Sequence, residues 1–284
     1  MRTKLLVCAL VLTSTAAMAG QEVFNRSFTV APGGLLVLNA SSADIVVAGA
    51  DTNVVLVRMT VRDSQSMPDS MKLSAVQTDS GVTVGMLRSQ RDWFTQLFSW
   101  WGAWDQDARV EVTVPRRYRV DLRSSGGDIL VSHLEGDATG KTSGGDVTLD
   151  DMTGQVAFRT SGGDIVANTV RGDIDASTSG GDIRLLHIDG KISARTSGGD
   201  VQCEITGANR GISATTSGGD ILLTMARGNT ATLDAATSGG DIATDFPVAT
   251  QHSNDRRLSG PVNGGGAPIF ARTSGGDITL RVGF

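Results

Sequence analysis

Cysteine, histidine and tyrosine are scarce in this chain of 284 residues, which contains two, three and one of them. Cys8 lies in the extreme N-terminal segment, so Cys203 has no partner for an intramolecular disulfide in the rest of the chain. The fold must therefore depend on burial and on backbone hydrogen bonds. His133, His187 and His252 are scattered, without the spacing of metal ligands or a serine or cysteine partner for catalysis.

Long apolar runs are also lacking. The run Leu5–Leu12 is too short to span a bilayer, and nothing later approaches the roughly 20 apolar residues that a transmembrane helix needs. Arg2 and Lys4 precede this run, and small residues at 17–19 follow it, which is typical of a cleavable secretory signal. We predict that residues 1–19 are a signal peptide and that the mature chain, without a transmembrane span, is exported to the periplasm, the cell surface or the medium.

Positive charge is in the minority. The chain has 25 basic and 30 acidic residues, and loss of Arg2 and Lys4 with the signal leaves 23 against 30, a net charge of −7. An acidic chain lacks the basic surface that nucleic acid phosphates require. We therefore expect no nucleic acid partner.

Glycine, in contrast, is abundant and periodic, with 36 residues. The motif S/T-S-G-G-D-I/V recurs mostly every 18 residues, and a further glycine lies halfway, so the unit is nine residues used twice. Its aspartates are Asp128, Asp146, Asp164, Asp182, Asp200, Asp220, Asp241 and Asp277. We expect a tight turn at each motif, in which glycine supplies positive φ.

Apolar and polar residues alternate between the glycines, as strands with one buried face require. Ile129 and Val131 begin two inward columns that recur after each motif, and Val156 and Phe158 begin two more in the other half-repeat. Equivalent residues of successive repeats can stack into such columns only if the coils run parallel. We predict an all-β fold, a parallel β-solenoid with ~18-residue coils of two ~9-residue half-turns, forming a single domain over residues 20–284.

The pattern is weaker before residue 121 and breaks twice. Residues 20–120 predict irregular, wider coils, and residues 121–284 predict the regular repeats, interrupted by a glycine-rich loop at 247–268. Residues 91–105 form a tryptophan-rich insertion with helical spacing, which predicts one short amphipathic helix. This helix either caps the solenoid or contacts a partner, and the candidate contact residues are Trp93, Trp100, Trp101 and Trp104.

Repeated carboxylates on successive coils either bind a cation or cap the turns. Calcium-binding β-rolls share the 9- and 18-residue periods, so calcium candidates are Asp128, Asp146, Asp164, Asp182 and Asp200. In β-rolls, however, the aspartate lies two residues after the last glycine, whereas here it follows directly. The spacing favours aspartates that accept backbone N–H bonds. We predict no cofactor. Cys203 occupies an inward column and is predicted to be a buried apolar residue.

The SGGD[IV] turns, the opening FNRSFTVAPGGLLVLNASSADIVVAGAD and the entry VEVTVPRRYRVDLRSSGGDI together resemble the DUF4097 family of bacterial proteins, labelled "putative adhesins". This resemblance implies a β-solenoid exported to the cell envelope. We expect a non-enzymatic adhesin or scaffold whose partner is a protein or an envelope or polymer surface. Two alternatives remain open at this point, a calcium-binding β-roll and a polysaccharide-active enzyme.

Overall fold

The structure, a computed structural model, describes residues 21–61, 71–88, 108–249, 252–254 and 256–283. These residues form β-strands and turns only, and the strands lie in two sheets. In chain order the strands are β1 (Gln21–Thr29), β2 (Leu35–Asn39), β3 (Asp44–Ala50), β4 (Val54–Val61), β5 (Met71–Thr78), β6 (Gly81–Arg88), β7 (Ala108–Pro115), β8 (Arg119–Arg123), β9 (Ile129–Glu135), β10 (Ala138–Lys141), β11 (Val147–Thr153), β12 (Val156–Arg159), β13 (Ile165–Arg171), β14 (Ile174–Ser177), β15 (Ile183–Asp189), β16 (Ile192–Arg195), β17 (Val201–Ile205), β18 (Ile212–Thr215), β19 (Ile221–Ala226), β20 (Ala231–Ala236), β21 (Ile242–Thr244), β22 (His252–Asn254), β23 (Arg257–Val262), β24 (Pro268–Arg272) and β25 (Ile278–Gly283).

Each regular coil has one strand in each sheet. In spatial order, sheet A is β1-β4-β7-β3-β9-β11-β13-β15-β17-β19-β25-β21, and sheet B is β22-β23-β20-β24-β18-β16-β14-β12-β10-β8-β2-β6-β5. A coil passes along sheet B, through the SGGD turn, and back along sheet A. Successive coils pair in parallel and in register, so Val147 lies beside Ile165, and Val156 beside Ile174. The predicted two-sided parallel solenoid is confirmed in this part of the chain.

The core lies between the two sheets, where the predicted inward columns are buried. Sheet A contributes larger side chains such as Ile129 and Leu149, whereas sheet B contributes many alanines, such as Ala176 and Ala194. Small side chains on sheet B allow the two sheets to approach closely. On the terminal coil, Ile242 is only partly buried, because no further coil covers it on one side.

A third inward column in sheet A was not predicted. Its members follow the second column by three residues instead of two, and they are Leu134, Met152, Val170 and Ile188. The residue before each of them, at 133, 151, 169 and 187, has a positive φ of 51–59°. This left-handed residue shifts the alternation by one position, so that the strand buries a further side chain before the next turn.

The N-terminal end does not follow chain order. The coil β6/β7 lies outside the coil β2/β3, so the second coil in sequence is the outermost in space. Beyond these coils, β4 pairs antiparallel with β7, β1 pairs antiparallel with β4, and β5 pairs antiparallel with β6. The expectation of wider coils before residue 121 is corrected here, because antiparallel strands at the sheet edges accommodate the extra residues.

The C-terminal end is also out of order. The last coil in sequence, β24/β25, lies between β18/β19 and β20/β21. The preceding segment, 247–268, was predicted to be a loop, and this is wrong. It contains β22 and β23, of which β23 pairs antiparallel with β20 over Ala231–Ala236 and covers its open edge. The backbone hydrogen bonds available at that edge outweigh the turn-like composition of the segment.

The predicted amphipathic helix at 91–105 and the signal peptide at 1–19 lie outside the described residues. Their flanking strands are described: β6 ends at Arg88 in sheet B, and β7 begins at Ala108 in sheet A. The tryptophan-rich insertion belongs to the segment of sequence between these two strands. Within the described residues, no helix has the length and apolar character needed to cross a membrane.

Candidate functional site

Each SGGD turn is tied to its neighbours through a buried threonine. The hydroxyl of Thr160 donates to the carbonyl oxygen of Gly145 on the adjacent coil at 2.9 Å, and it accepts from the N–H of Gly163 in its own turn at 3.4 Å. Ser124 makes the equivalent bonds at the first motif. The threonines that precede the SGGD motifs therefore link one coil to the next through glycine carbonyl oxygens.

The aspartates form a continuous row along the same edge. In each case Oδ1 accepts the backbone N–H of the aspartate on the next coil, and the donor–acceptor distances from Asp146 to Asp128 and from Asp164 to Asp146 are both 2.8 Å. Because the last coil is intercalated, the row continues from Asp220 to Asp277 and ends at Asp241. It also begins one coil earlier than the motif, at Asp44. The predicted capping role of the aspartates is confirmed by these bonds.

The two glycines of each turn have different roles. Neither Gly162 nor Gly163 has the positive φ expected from the sequence, so that expectation is wrong for this turn. A Cβ on Gly163 would collide with the carbonyl oxygen of Gly145 below it, whereas the nearest atom to a Cβ on Gly162 is 3.6 Å away. The second glycine is required by the close approach of neighbouring coils. Positive φ occurs instead at the opposite half-turn, as at Gly154 and Gly172.

A groove of about 310 Å³ runs beside the aspartate row on the outer surface of sheet A. Its rim combines carboxylates with two cations and an apolar residue. The lining side chains include Asp182, Asp200, Asp220, Asp277, Arg184, Leu222 and Arg281. Arg184 donates to Oδ2 of Asp182 at 3.1 Å. The groove thus brings two of the calcium candidates, Asp182 and Asp200, together with Asp220 of the next repeat and with Asp277, which is 57 residues further along the chain.

The left-handed positions of sheet A carry a second group of polar side chains. The ring Nδ1 of His133 is 3.2 Å from Oδ2 of Asp151, and Nη1 of Arg171 is 3.3 Å from Oδ1 of the same carboxylate. The His133 hydrogen bond, followed by that of Arg171, holds the pKa of Asp151 below its ordinary value. At the equivalent position three coils after His133, the side chain of His187 forms a hydrogen bond of 3.0 Å with Asn168.

The outer surface of sheet B carries a row of cations, which we call the basic row. Five members stand directly before the Ser or Thr that precedes an SGGD motif, and the sixth extends the row onto β23. They are Arg123, Lys141, Arg159, Arg195, Arg272 and Arg257. The sequence contains a signal for this row, because the pattern R/K-T/S-S-G-G-D occurs at five motifs.

The remaining candidate residues are placed as follows. Asp128, Asp146, Asp164, Asp182 and Asp200 stand one coil apart and are joined by the row of hydrogen bonds described above. Within the described ranges, no cluster of three or more His, Cys, Asp or Glu side chains is arranged to hold a metal ion. Trp93, Trp100, Trp101 and Trp104 lie outside those ranges.

Cys203 lies in the second inward column of sheet A and is 1% exposed. Burial without a charged neighbour raises the pKa of its thiol to about 12. The interpretation of Cys203 as a buried apolar residue is confirmed.

Comparison with known proteins gives one family and several solved structures. The family model described as Toastrack DUF4097 matches residues 35–281. Comparison with curated proteins found no match.

Solved structures of similar shape cover almost the whole chain at low sequence identity. A Bacteroides fragilis protein described as a "putative adhesin" has a TM-score of 0.49 and 11% identity, with 93% of this chain and 99% of that one covered. A Parabacteroides distasonis "putative adhesin" has a TM-score of 0.45 and 15% identity, with 93% and 98% covered. A P. distasonis "putative lipid binding protein" has a TM-score of 0.43 and 13% identity, with 91% and 96% covered.

Proposed function

Because the chain belongs to the Toastrack DUF4097 family, we propose that it is a non-enzymatic β-solenoid of the bacterial cell envelope that presents an extended surface for adhesion or scaffolding. The observation that carries this proposal is the repetition of outward-facing side chains, one per coil, on both sheets. In sheet A, for example, Thr148, Val166 and Arg184 stand side by side on successive coils. Such columns form a long and regular surface suited to a long and regular partner.

The bonding of the turns supports this proposal. At the SGGD edge the Asp Oδ1 atoms and the Thr hydroxyls are engaged in bonds between coils. These bonds stiffen the rod and hold the columns in register. The side chains left available to a partner are those on the outer surfaces of the two sheets.

Export is the second part of the proposal, and it is supported by the sequence pattern at residues 1–19. Proteolytic shaving of intact cells, followed by detection of the chain in the cell pellet, separates the possible locations. A surface protein is degraded by shaving, whereas a periplasmic one is degraded only after the outer barrier is opened. Unprocessed chain found only inside the cell would contradict export.

Binding tests the adhesive role directly. The purified chain from residue 20 onward is incubated with envelope fractions and with intact cells, and retention is measured by sedimentation. Retention that saturates with protein concentration is expected. A chain that is folded, by its β-rich circular dichroism, and yet is retained by no envelope fraction, cell or polymer surface would contradict the proposal.

The tryptophan-rich insertion is proposed as a second contact element, because its tryptophans recur at the spacing of one helical face. A cap and a contact element respond differently to substitution. If Trp100 and Trp101 contact a partner, changing both to alanine weakens retention and leaves the melting temperature unchanged. If Trp100 and Trp101 cap the solenoid instead, the same double substitution lowers the melting temperature.

A further inference from the structure

The basic row lies on a protein that carries net negative charge. Its arginines extend into solvent: the side chains of Arg123, Arg159 and Arg195 are 67%, 65% and 55% exposed. Lys141 is also exposed and, within the described residues, forms no ion pair. Guanidinium groups held on strands of a rigid sheet are well suited to bind carboxylates in bidentate geometry.

Carboxylates on the neighbouring outward column compensate this charge only in part. Asp175 lies between Arg159 and Arg195 at 3.5 Å from each, and Asp121 is 3.4 Å from Arg123. Asp234 is shared by two further members of the row, at 2.7 and 3.7 Å. Three carboxylates therefore face six cations. These carboxylates are 33–36% exposed, whereas four of the arginines are 52–67% exposed and form the outer layer of the surface. Arg272 is the exception at 36%.

The order of side chains along the row is regular over five coils. On β12, β14, β16, β18 and β24, which are adjacent in space, the residues are Arg159, Ser177, Arg195, Thr215 and Arg272. Over these five coils a cation alternates with a hydroxyl, and because parallel strands are spaced by about 4.8 Å, these cations recur about every 10 Å. Before Arg159, Lys141 and Arg123 continue the row on consecutive coils without a hydroxyl between them.

This alternation selects among anionic polymers. A sugar unit in an extended polysaccharide is about as long as one coil rise of ~4.8 Å, so a chain lying across the strands places one sugar on each coil. A polysaccharide with a carboxylate on every second sugar then meets an arginine at each charged unit and a hydroxyl at each neutral one. Polyphosphate carries a charge on every unit, so it has no neutral unit to place opposite the hydroxyls of Ser177 and Thr215.

An exposed aromatic ring beside the row also favours a sugar. Phe270 is 39% exposed on the outer surface of sheet B, and the guanidinium of Arg272 lies 4.2 Å from its ring centroid. Ser213, its neighbour on the adjacent strand, faces the same side. The guanidinium covers one face of the ring, and the stacked pair combines apolar surface with N–H donors that a sugar can use.

We propose that the basic row binds a linear anionic polysaccharide with carboxylates on alternate sugars, lying along the solenoid axis across the strands of sheet B. This inference rests on the proposed function and names the surface and the class of polymer. The capping aspartates at the SGGD edge exclude polyanions from that edge and so restrict the polymer to the sheet surface.

Calorimetric titration of the mature chain tests the inference with three probes. Hyaluronan has a carboxylate on alternate sugars, dextran is an uncharged polysaccharide, and inorganic polyphosphate is a polyanion without sugars. We expect binding to hyaluronan that weakens with added salt, and at least tenfold weaker binding to the other two. Equal binding to polyphosphate would overturn the assignment of a polysaccharide. Failure to bind hyaluronan at low salt would overturn the inference as a whole.

A variant pair locates the site. Arg159→Gln/Arg195→Gln/Arg272→Gln removes three charges from the basic row, and Arg171→Gln/Arg184→Gln/Arg281→Gln removes three from the outer surface of sheet A. We expect about tenfold or greater loss of hyaluronan affinity in the first and less than about twofold in the second, because nearby fixed charges dominate at physiological salt. Equal losses would show that net charge alone matters, and would contradict the site.

Folding and function are controlled separately. If the triple variant melts earlier, the single change Arg195→Gln on an otherwise intact row is expected to weaken binding about threefold, and an unchanged affinity there would contradict the site. Retention of the triple variant on envelope fractions distinguishes the two levels. If the triple variant loses hyaluronan binding but is still retained on envelope fractions, the adhesive role stands and a surface other than the basic row carries it.

Discussion

At the residue scale, neighbouring glycines of one turn experience different constraints. A Cβ added to Gly163 would collide with the carbonyl oxygen of Gly145, while a Cβ added to Gly162 would make ordinary contacts, the nearest at 3.6 Å. The sequence alone shows both as invariant members of a motif. Only the stacking of coils reveals which of the two is irreplaceable, and this requires the spacing between coils as well as the shape of the turn.

Gly163→Ala is expected to destabilise the protein, because the new methyl group must push two coils apart. Overpacking of this kind costs about 1–3 kcal/mol. In a domain of this size, each kcal/mol corresponds to about 2–4 °C in melting temperature. Gly162→Ala is the matched control and is expected to change the melting temperature little, since the added Cβ makes ordinary contacts at 3.6 Å. Equal effects in thermal unfolding would contradict the stacking argument.

Cys203 is expected to be inert in the folded protein. With a pKa of about 12, the thiol stays protonated at pH 8, and its burial blocks access of reagents. An alkylating reagent at pH 8 should label the chain from residue 20 onward only after denaturant is added. The raised pKa also stabilises the fold below the unfolded value near 9, and this contribution is lost as pH rises from 9 towards 12. Rapid labelling of native protein would show that the column opens locally.

At the element scale, strand alternation predicted most of the core. The columns that begin at Ile129, Val131, Val156 and Phe158 are buried as expected. The third column was missed, because a left-handed residue at 133, 151, 169 or 187 shifts the period, and residues such as His133 and Thr169 give no composition signal for that conformation. The cations of the basic row recur in the sequence, but only the stacking of the coils shows that they lie side by side on one face of sheet B.

The aspartate row makes opposite predictions for a cap and for a calcium ligand. Asp164→Asn retains an oxygen that accepts the N–H of Asp182, so as a cap it should leave the melting temperature nearly unchanged. Asp164→Ala removes the acceptor and should cost about 1 kcal/mol. A chelator should have no effect. If calcium is bound instead, the chelator and the asparagine variant both lower the melting temperature, because ligand binding stabilises the folded state.

The intercalated coil gives the C-terminus an unusual role for an element at a chain end. Deletion of residues 268–284 removes β24 and β25 and separates β18/β19 from β20/β21. We expect this truncation to release β20–β23 as well, and to lower the melting temperature far more than loss of a terminal coil would. Limited proteolysis measures this, with cleavage between residues 227 and 267 in the truncated chain only. Protection of that region would show that β20 pairs directly with β18.

At the scale of the whole molecule, the regular coils form a one-dimensional stack in which each coil contacts mainly its neighbours. The sequence predicted this architecture from its period. It did not predict the order of coils at the two ends, because pairing between β2 and β6 or between β24 and β18 joins segments whose repeats look alike. When several coils share one pattern, the pattern cannot specify which of them are adjacent.

Removal of one complete coil is expected to preserve the fold. Deletion of residues 165–182 joins Asp164 to Ile183 and restores both the strand register and the aspartate row. The shortened rod should keep its β-rich circular dichroism and lose about 4.8 Å in length by small-angle scattering. Deletion of residues 165–173 removes half a coil and is the matched control. It places sheet B residues in sheet A, and the chain should fail to fold cooperatively. Equal outcomes would contradict the two-sided coil.

If the chain is exported as we propose, the position of β24/β25 has a consequence for the timing of its folding. A chain that crosses a membrane from its N-terminus emerges coil by coil, and most of this solenoid can add each coil to the last as it appears. The coil β20/β21 cannot take its final place, because its neighbour has not yet been delivered. The closing step waits for β24 and β25, so the coil β20/β21 is placed only after these later strands have crossed.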